Sequence, residues 1–188
     1  MIYTIGHSTR ELAELVALLT AHGVAQVIDV RRYPASRRHP QFARAALAAG
    51  LATSGIGYRH EPDLGGRRAP RPDSPHTAWR NAGFRGYADY METAPFQTAL
   101  AQLMASAQAT PTAILCAEAV PWRCHRHLIA DALVARGEAV GHILDRAAPQ
   151  PHVLSPHAEL APAGAVSYPA RRAEQHDLGL EAPSRRRA

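Results

Sequence analysis

The chain has 188 residues, 46% of them hydrophobic, enough to fill one core of ordinary domain size and too few to call for a second. No stretch approaches the ~18 uninterrupted apolar residues of a membrane-spanning helix, and Met1-Ile2-Tyr3-Thr4-Ile5-Gly6 lacks the basic start and long apolar run of a secretion signal, so the expected address is cytoplasmic. All 21 basic side chains are arginine, which excludes a lysine Schiff base, a phosphate-loop lysine and a lysine general base.

Charge is spread unevenly. Between Arg31 and Arg85, 11 arginines face only Glu61, Asp63 and Asp73, whereas the remainder carries 10 arginines and 13 acids within a net +5. A basic central segment on a mildly acidic body suits an anionic partner, either a small molecule such as a nucleotide or a nucleic acid. A solvated arginine-rich loop gives the same count. Two cysteines, Cys116 and Cys124, are too few for a disulfide scaffold and are expected to be thiols in a reducing compartment.

The first predicted element is a strand over Ile2 to Ile5, followed by Gly6-His7 and a helix from about Thr9 to His22. Ser8-Thr9-Arg10-Glu11 has the form of a capping box, which gives Ser8 a structural role. Leu12, Leu15, Val16, Leu18 and Leu19 supply the apolar stripe, and Gly23 the stop. A near-continuous apolar run from Ala25 to Val30 reads as a central parallel strand ending in Asp29-Val30-Arg31.

A helix over Gln41 to Ala52, a short strand over Gly57 to Glu61 and a Gly/Pro/Arg loop from Pro62 to Gly83 come next. That loop is longer than an ordinary connector, which marks it as a functional flap or a partly mobile segment. Helical patterning covers Tyr87 to Thr93 and Pro95 to Ala107, then a strand Thr112 to Cys116, a helix Arg123 to Arg136 closed by Gly137, and a last strand Ala139 to Leu144. Repeated strand–helix–strand units predict an α/β, Rossmann-like domain over residues 1–146, its mostly parallel sheet carrying helices on both faces. Pro149, Pro151, Pro156, Pro162, Pro169 and Pro183 predict that 147–188 is a largely irregular Pro/Arg-rich tail whose Arg185-Arg186-Arg187 end is solubilising.

Ligands of parallel sheets collect beyond the carboxyl ends of the strands. His7, then Asp29 and Arg31, then His60 and Glu61, then Cys116 and Glu118 follow the first four strands, and His142 lies in the fifth. Cys124, beside His125 and Arg126 at a helix start, has the setting of a stabilised thiolate. Cys116, ending a buried strand, reads equally as a core residue. A phosphatase-type loop fits poorly, because six residues separate Cys116 from Arg123, none of them glycine.

A metal site from Cys116, Cys124 and His125, completed by His7, His60 or His142, matches no compact zinc spacing. A third scheme uses Asp29 or Glu118 as base and His125 as acid, with Arg31, Arg67 or Arg126 holding the anion. Gly65-Gly66-Arg67 offers backbone N–H groups and an adjacent guanidinium. Tyr33, Tyr58, Trp79, Phe84, Tyr87 and Tyr90 interleave aromatics with arginines, the mixture that stacks nucleobases, although Tyr87, Tyr90 and Met91 also read as a helix core face.

Taken together, Thr4-Ile5-Gly6-His7-Ser8-Thr9-Arg10, Asp29-Val30-Arg31 with Pro34 and Ser36, Pro40-Gln41-Phe42, Leu64-Gly65-Gly66-Arg67, Phe84-Arg85-Gly86-Tyr87, Leu115-Cys116-Ala117-Glu118 and Cys124-His125-Arg126 closely resemble the family known as domain of unknown function 488, over about Ile2 to Leu144. The resemblance implies an α/β fold with a pocket made from these motifs, and no defined reaction.

The expectation carried forward is a small enzyme performing hydrolysis or group transfer on a nucleotide, nucleobase or nucleic acid. Glu118, His125, Cys116, Cys124 and Asp29 are its candidate catalytic residues. His7, Arg31, Gly65, Gly66, Arg67, Arg126 and Tyr87 are its candidate substrate contacts. No cofactor motif is present. The rivals are a non-catalytic nucleic-acid-binding or regulatory module and a metal-dependent hydrolase.

Overall fold

A computed structural model describes residues 1–35 and 37–170. Alternating apolar segments form β1 (Ile2–Gly6), β2 (Gln26–Asp29), β3 (Gly57–His60), β4 (Thr112–Cys116) and β5 (Val140–Ile143), all parallel, in the order β3-β2-β4-β1-β5. A short antiparallel strand, β6 (Gln150–Pro151), extends the β5 edge. The α/β architecture with helices on both sheet faces is therefore as expected.

Successive strand residues point to opposite faces, and two cores follow. On one face Val27, Ala113, Leu115 and Ile5 pack against α1 (Leu12–Ala21) and α2 (Arg44–Ala52). On the other, Ile28, Ile114 and Ile2 pack against α3 (Ala82–Met91), α4 (Ala94–Ala109) and α5 (Arg126–Val134). Gly23 and Gly137 end α1 and α5 with φ of +65° and +84°, the left-handed step that a Schellman cap requires. The carbonyls of Leu19 and Leu133 accept from Val24 and Glu138 five residues on.

Several helix starts differ from expectation, α3 beginning five residues early at Ala82, where the Asn81 side chain caps it, and two of them differ for tertiary reasons. The capping box at Ser8 does not form: α1 starts at Leu12 after Glu11, with no side-chain cap. Ser8 instead takes φ +49°, and its N–H donates to the carbonyl of Ala117 at 2.8 Å, so the β1–α1 turn is docked on the β4–α5 loop. Helix α5 starts three residues late, because Pro121–Arg123 form a 3₁₀ turn and Cys124 is extended.

Residues 147–170 are not the irregular tail that their proline content suggested. A hairpin of β7 (Glu159–Ala161) and β8 (Ala165–Ser167) follows β6, and Val166 and Tyr168 are buried in the α5-side core. The polar reason is Asp131 of α5, fully buried, which accepts from the Tyr168 hydroxyl at 2.9 Å, the Ser155 amide at 2.9 Å and His152 Nε2 at 2.8 Å. Arg185-Arg186-Arg187 lie outside the described residues. No helix among the described residues is long and apolar enough to cross a membrane.

Candidate functional site

Strand order decides where a crevice can open. From β1 the chain passes through α1 to β2 on one sheet face, and from β4 through α5 to β5 on the other. The two connections leave neighbouring strand ends in opposite directions, which is the switch point where doubly wound sheets bind ligands. A cleft of about 780 Å³ lies there. Arg31, Arg32, Arg38, Arg67 and Arg123 line it, and Glu118 is its single carboxylate among the described residues. Ser8 and Arg67, the two non-glycine residues with positive φ among the described residues, both face it. Strained backbone of that kind collects at ligand sites.

Asp29 ends β2 fully buried, and its carboxylate is already engaged. It accepts from Arg31 Nε at 2.8 Å and Nη2 at 2.5 Å, from the Arg31 amide at 3.0 Å and from the Tyr58 hydroxyl at 2.7 Å. Asp29 is thus a counter-ion holding Arg31, not a base open to the cleft. Burial and the bond to Asp29 push the Tyr58 hydroxyl well above its ordinary value.

His7 Nδ1 donates to the Ser8 carbonyl at 2.9 Å, which leaves Nε2 to accept from Arg31 Nη1 at 3.2 Å while Phe42 stacks on the ring. Burial lowers the His7 pKa to about 4, so the imidazole is neutral and fixed in one tautomer.

The floor holds three soft donors. Cys116 and Cys124 Sγ lie 3.9 and 3.7 Å from His125 Nδ1, and all three atoms fall within 4.8 Å of one another. The extended backbone of Cys124, φ −135° and ψ 146°, turns its thiol toward the end of β4. His125 Nε2 donates to the Val30 carbonyl at 3.0 Å, so the Nδ1 lone pair faces both sulfurs. Gly66 stands over the ring, where a Cβ would come within 2.8 Å of Nδ1.

Between the two thiols the proton is shared unequally. Hydrogen bonding to Cys124 and burial push the Cys116 thiol up. Burial opposes ionisation of Cys124 as well, but the bond from Cys116, His125 and the guanidinium of Arg126 outweigh it and bring that thiol down. The Arg126 amide, at the start of α5, also donates to Cys124 Sγ at 3.5 Å.

Other expected site residues lie elsewhere. Arg126 does not reach the cleft: it is buried, and Nη2 donates to the Glu118 and Ala119 carbonyls at 2.6 and 3.4 Å, fixing the loop that carries Glu118. Its guanidinium forms no ion pair among the described residues, and Nε has no partner. Tyr87 is core, its hydroxyl donating to the Leu64 carbonyl at 2.7 Å and its ring against His125. Gly65 is buried under Arg32 and does not line the cleft, whereas Gly66 and Arg67 do.

His60 donates to the Arg31 carbonyl, and neither it nor Glu61 lines the cleft. His142 does not line the cleft; it points to the α5 face of the sheet, to Thr4 and His152. Of the aromatics only Tyr33 and Phe84 line the cleft; Tyr90 carries the Arg68 guanidinium 3.5 Å above its ring. Arg32 and Arg38 were not singled out by the sequence, and Arg123 was weighed only as part of a phosphatase-type loop. The signal for Arg123 was its place beside Cys124.

The fold and this cleft define a doubly wound α/β protein with a thiol–imidazole cluster at its switch point. The chain belongs to the family described as domain of unknown function DUF488, whose model matches residues 11–133. No curated protein and no solved structure is significantly similar to it.

Proposed function

We propose that the protein is a small enzyme that hydrolyses or transfers a group on a phosphate-bearing substrate of nucleotide class. The observation that carries this reading is the juxtaposition, in one cleft, of four arginines without a carboxylate partner among the described residues and the Cys116–Cys124–His125 cluster. Arg32, Arg38, Arg67 and Arg123 grip the anion, because a guanidinium binds phosphate bidentately. Arg31, already paired with Asp29, contributes rigidity more than charge. Tyr33 and Phe84 offer flat apolar surface for a base. Glu118 is the acid–base group for proton transfer, and the cluster is the reactive centre.

The test is calorimetric titration with nucleoside monophosphates, diphosphates and the parent nucleosides, together with turnover assays on nucleotide pools. Binding of the phosphorylated forms weakens by at least about tenfold in Arg67→Ala and Arg123→Ala, since a charge-assisted contact contributes about 1.5–3 kcal/mol. Turnover disappears in Glu118→Gln and Cys124→Ser. Equal affinity for phosphorylated and unphosphorylated forms refutes the reading. Oligonucleotide binding that falls steeply with salt and ignores Cys124→Ser and Glu118→Gln would instead favour a non-catalytic nucleic-acid-binding module.

A further inference from the structure

The structure assigns a zinc(II) site to Cys116, Cys124 and His125, with the fourth coordination position open to the cleft. This deepens the reading above, since it says what the reactive centre is, and it rests on that reading only for the centre's use.

Four observations carry it. The first is donor spacing. Zinc bonds of about 2.3 Å to sulfur and 2.0–2.1 Å to imidazole in a tetrahedron place sulfur and nitrogen about 3.6 Å apart. The two sulfurs stand 3.7 and 3.9 Å from Nδ1 before any ion draws them in.

The second is orientation. A ligating imidazole donates its other N–H to a carbonyl or carboxylate, which fixes the lone pair toward the metal. His125 does this through Nε2 to the Val30 carbonyl at 3.0 Å, and the Tyr87 ring and Gly66 hold the ring plane.

The third is charge and softness. Two thiolates and one divalent ion sum to zero, so the complex adds no net charge beside the buried guanidinium of Arg126, which has no carboxylate partner among the described residues. Thiolate and imidazole donors select zinc-like ions over magnesium or calcium, which take oxygen.

The fourth is access. All three donors line the cleft, so a fourth ligand enters from the side where Arg67 and Arg123 stand. Three protein ligands and one open position distinguish a catalytic zinc site from a structural one, and the chemistry supplied there is activation of a bound water or polarisation of a substrate oxygen.

The alternatives in the molecule are weaker. A second hollow of about 190 Å³ is lined by His127, His142 and His152, but His142 and His152 are spent on each other and on Thr4 and Asp131. That leaves them no common lone pair for an ion.

The test uses the full chain, produced without a metal-affinity tag and purified without chelator. Elemental analysis gives about one zinc per chain, and Cys116→Ser, Cys124→Ser and His125→Asn each lower it more than about tenfold. Cobalt(II) exchanged into the wild type gives intense tetrahedral absorption with a sulfur-to-cobalt charge-transfer band. If the serine variants do not fold, the wild type suffices: its two thiols react with a disulfide reagent slowly until a chelator is added, then at once. Protein that carries no zinc, takes up no cobalt and exposes both thiols to the reagent without chelator overturns the assignment. In that event nucleotide binding and its loss in Arg67→Ala still decide the proposed function separately, as does zinc-loaded protein that binds no phosphate.

Discussion

Replacing Asp29 by asparagine tests whether this carboxylate is the counter-ion of Arg31 or a base. Asparagine preserves shape but supplies one acceptor oxygen, and its amide N–H₂ faces either Arg31 Nη2 and the Tyr58 hydroxyl, which share one carboxylate oxygen at 2.5 and 2.7 Å, or the Arg31 amide and Nε, which share the other at 3.0 and 2.8 Å. Arg31 is then a buried cation with no carboxylate beside it, its remaining partners the one asparagine oxygen, the Phe42 carbonyl and neutral His7. Leaving one member of a buried pair uncompensated costs about 3–5 kcal/mol, a large part of the roughly 5–15 kcal/mol that holds a domain of this size. Urea denaturation followed by far-UV circular dichroism should show that loss at an unchanged m-value. Arg31→Met alone strands Asp29 in the same way, and the double variant should recover about 2 kcal/mol or more of the summed losses. A single-variant effect below about 1 kcal/mol, or additivity within about 0.5 kcal/mol, would refute the counter-ion role and return Asp29 to the list of bases.

Three further outcomes are expected. Gly66→Ala should lose about 1–3 kcal/mol in urea denaturation, because the new Cβ would stand 2.8 Å from His125 Nδ1 and that ring is pinned from below by Val30 and Tyr87; wild-type stability would show the contact to be slack. The ring-proton NMR signals of His7 and His142 should stay those of neutral imidazole at pH 5.5, since burial lowers their pKa values to about 4 and about 3. The unfolded chain then binds the extra protons, so each histidine's contribution, roughly 3 kcal/mol or more, is complete above about pH 6.5 and is lost as pH falls toward those values; a midpoint near 6.5 for either refutes this. Ending the chain at Arg146 should prevent cooperative folding, because Asp131 loses the bonds from His152, Ser155 and Tyr168. Tyr168→Phe, which removes one bond to a charged acceptor, should cost about 1.5–3 kcal/mol, and no effect on Tm would refute it.

Strands were legible because their apolar runs are continuous: β2 and β4 lie within a residue or two of the sequence reading, and Gly23 and Gly137 marked helix ends correctly. Local signals failed where a distant partner outbid them. The capping box at Ser8 competes with a backbone bond to Ala117, far off in sequence, and loses. The tail past Arg146 has too few apolar residues to announce itself, yet Val166 and Tyr168 cover α5. Its signal was in the helix they cover: Asp131 inside Leu128-Ile129-Ala130-Asp131-Ala132-Leu133 is a carboxylate on an apolar face, which must find partners from elsewhere.

The site shows the same division between what residues specify and what topology specifies. Strand ends nominated His7, Asp29, Arg31, Cys116 and Glu118 without saying which would meet, because adjacency depends on strand order, and the order β3-β2-β4-β1-β5 is not written in any local pattern. It places β4 between β2 and β1, so Cys116 sits between Asp29 and His7, while His142 of β5 bonds Thr4 and His152 and stays out of the cleft. Arginine identity likewise says nothing about whether a guanidinium is free. Arg31 is consumed by Asp29 and Arg126 by carbonyls, and both are buried; Arg67 and Arg123 are exposed and line the cleft. The buried pair is thus structural, and the pair that faces solvent is free to bind. Substituting one member of each pair separates the roles: Arg126→Leu should lower stability by leaving the Glu118 and Ala119 carbonyls without their donor, whereas Arg123→Ala should leave stability unchanged and weaken only anion binding. The reverse result would mean that burial does not sort the arginines of this cleft.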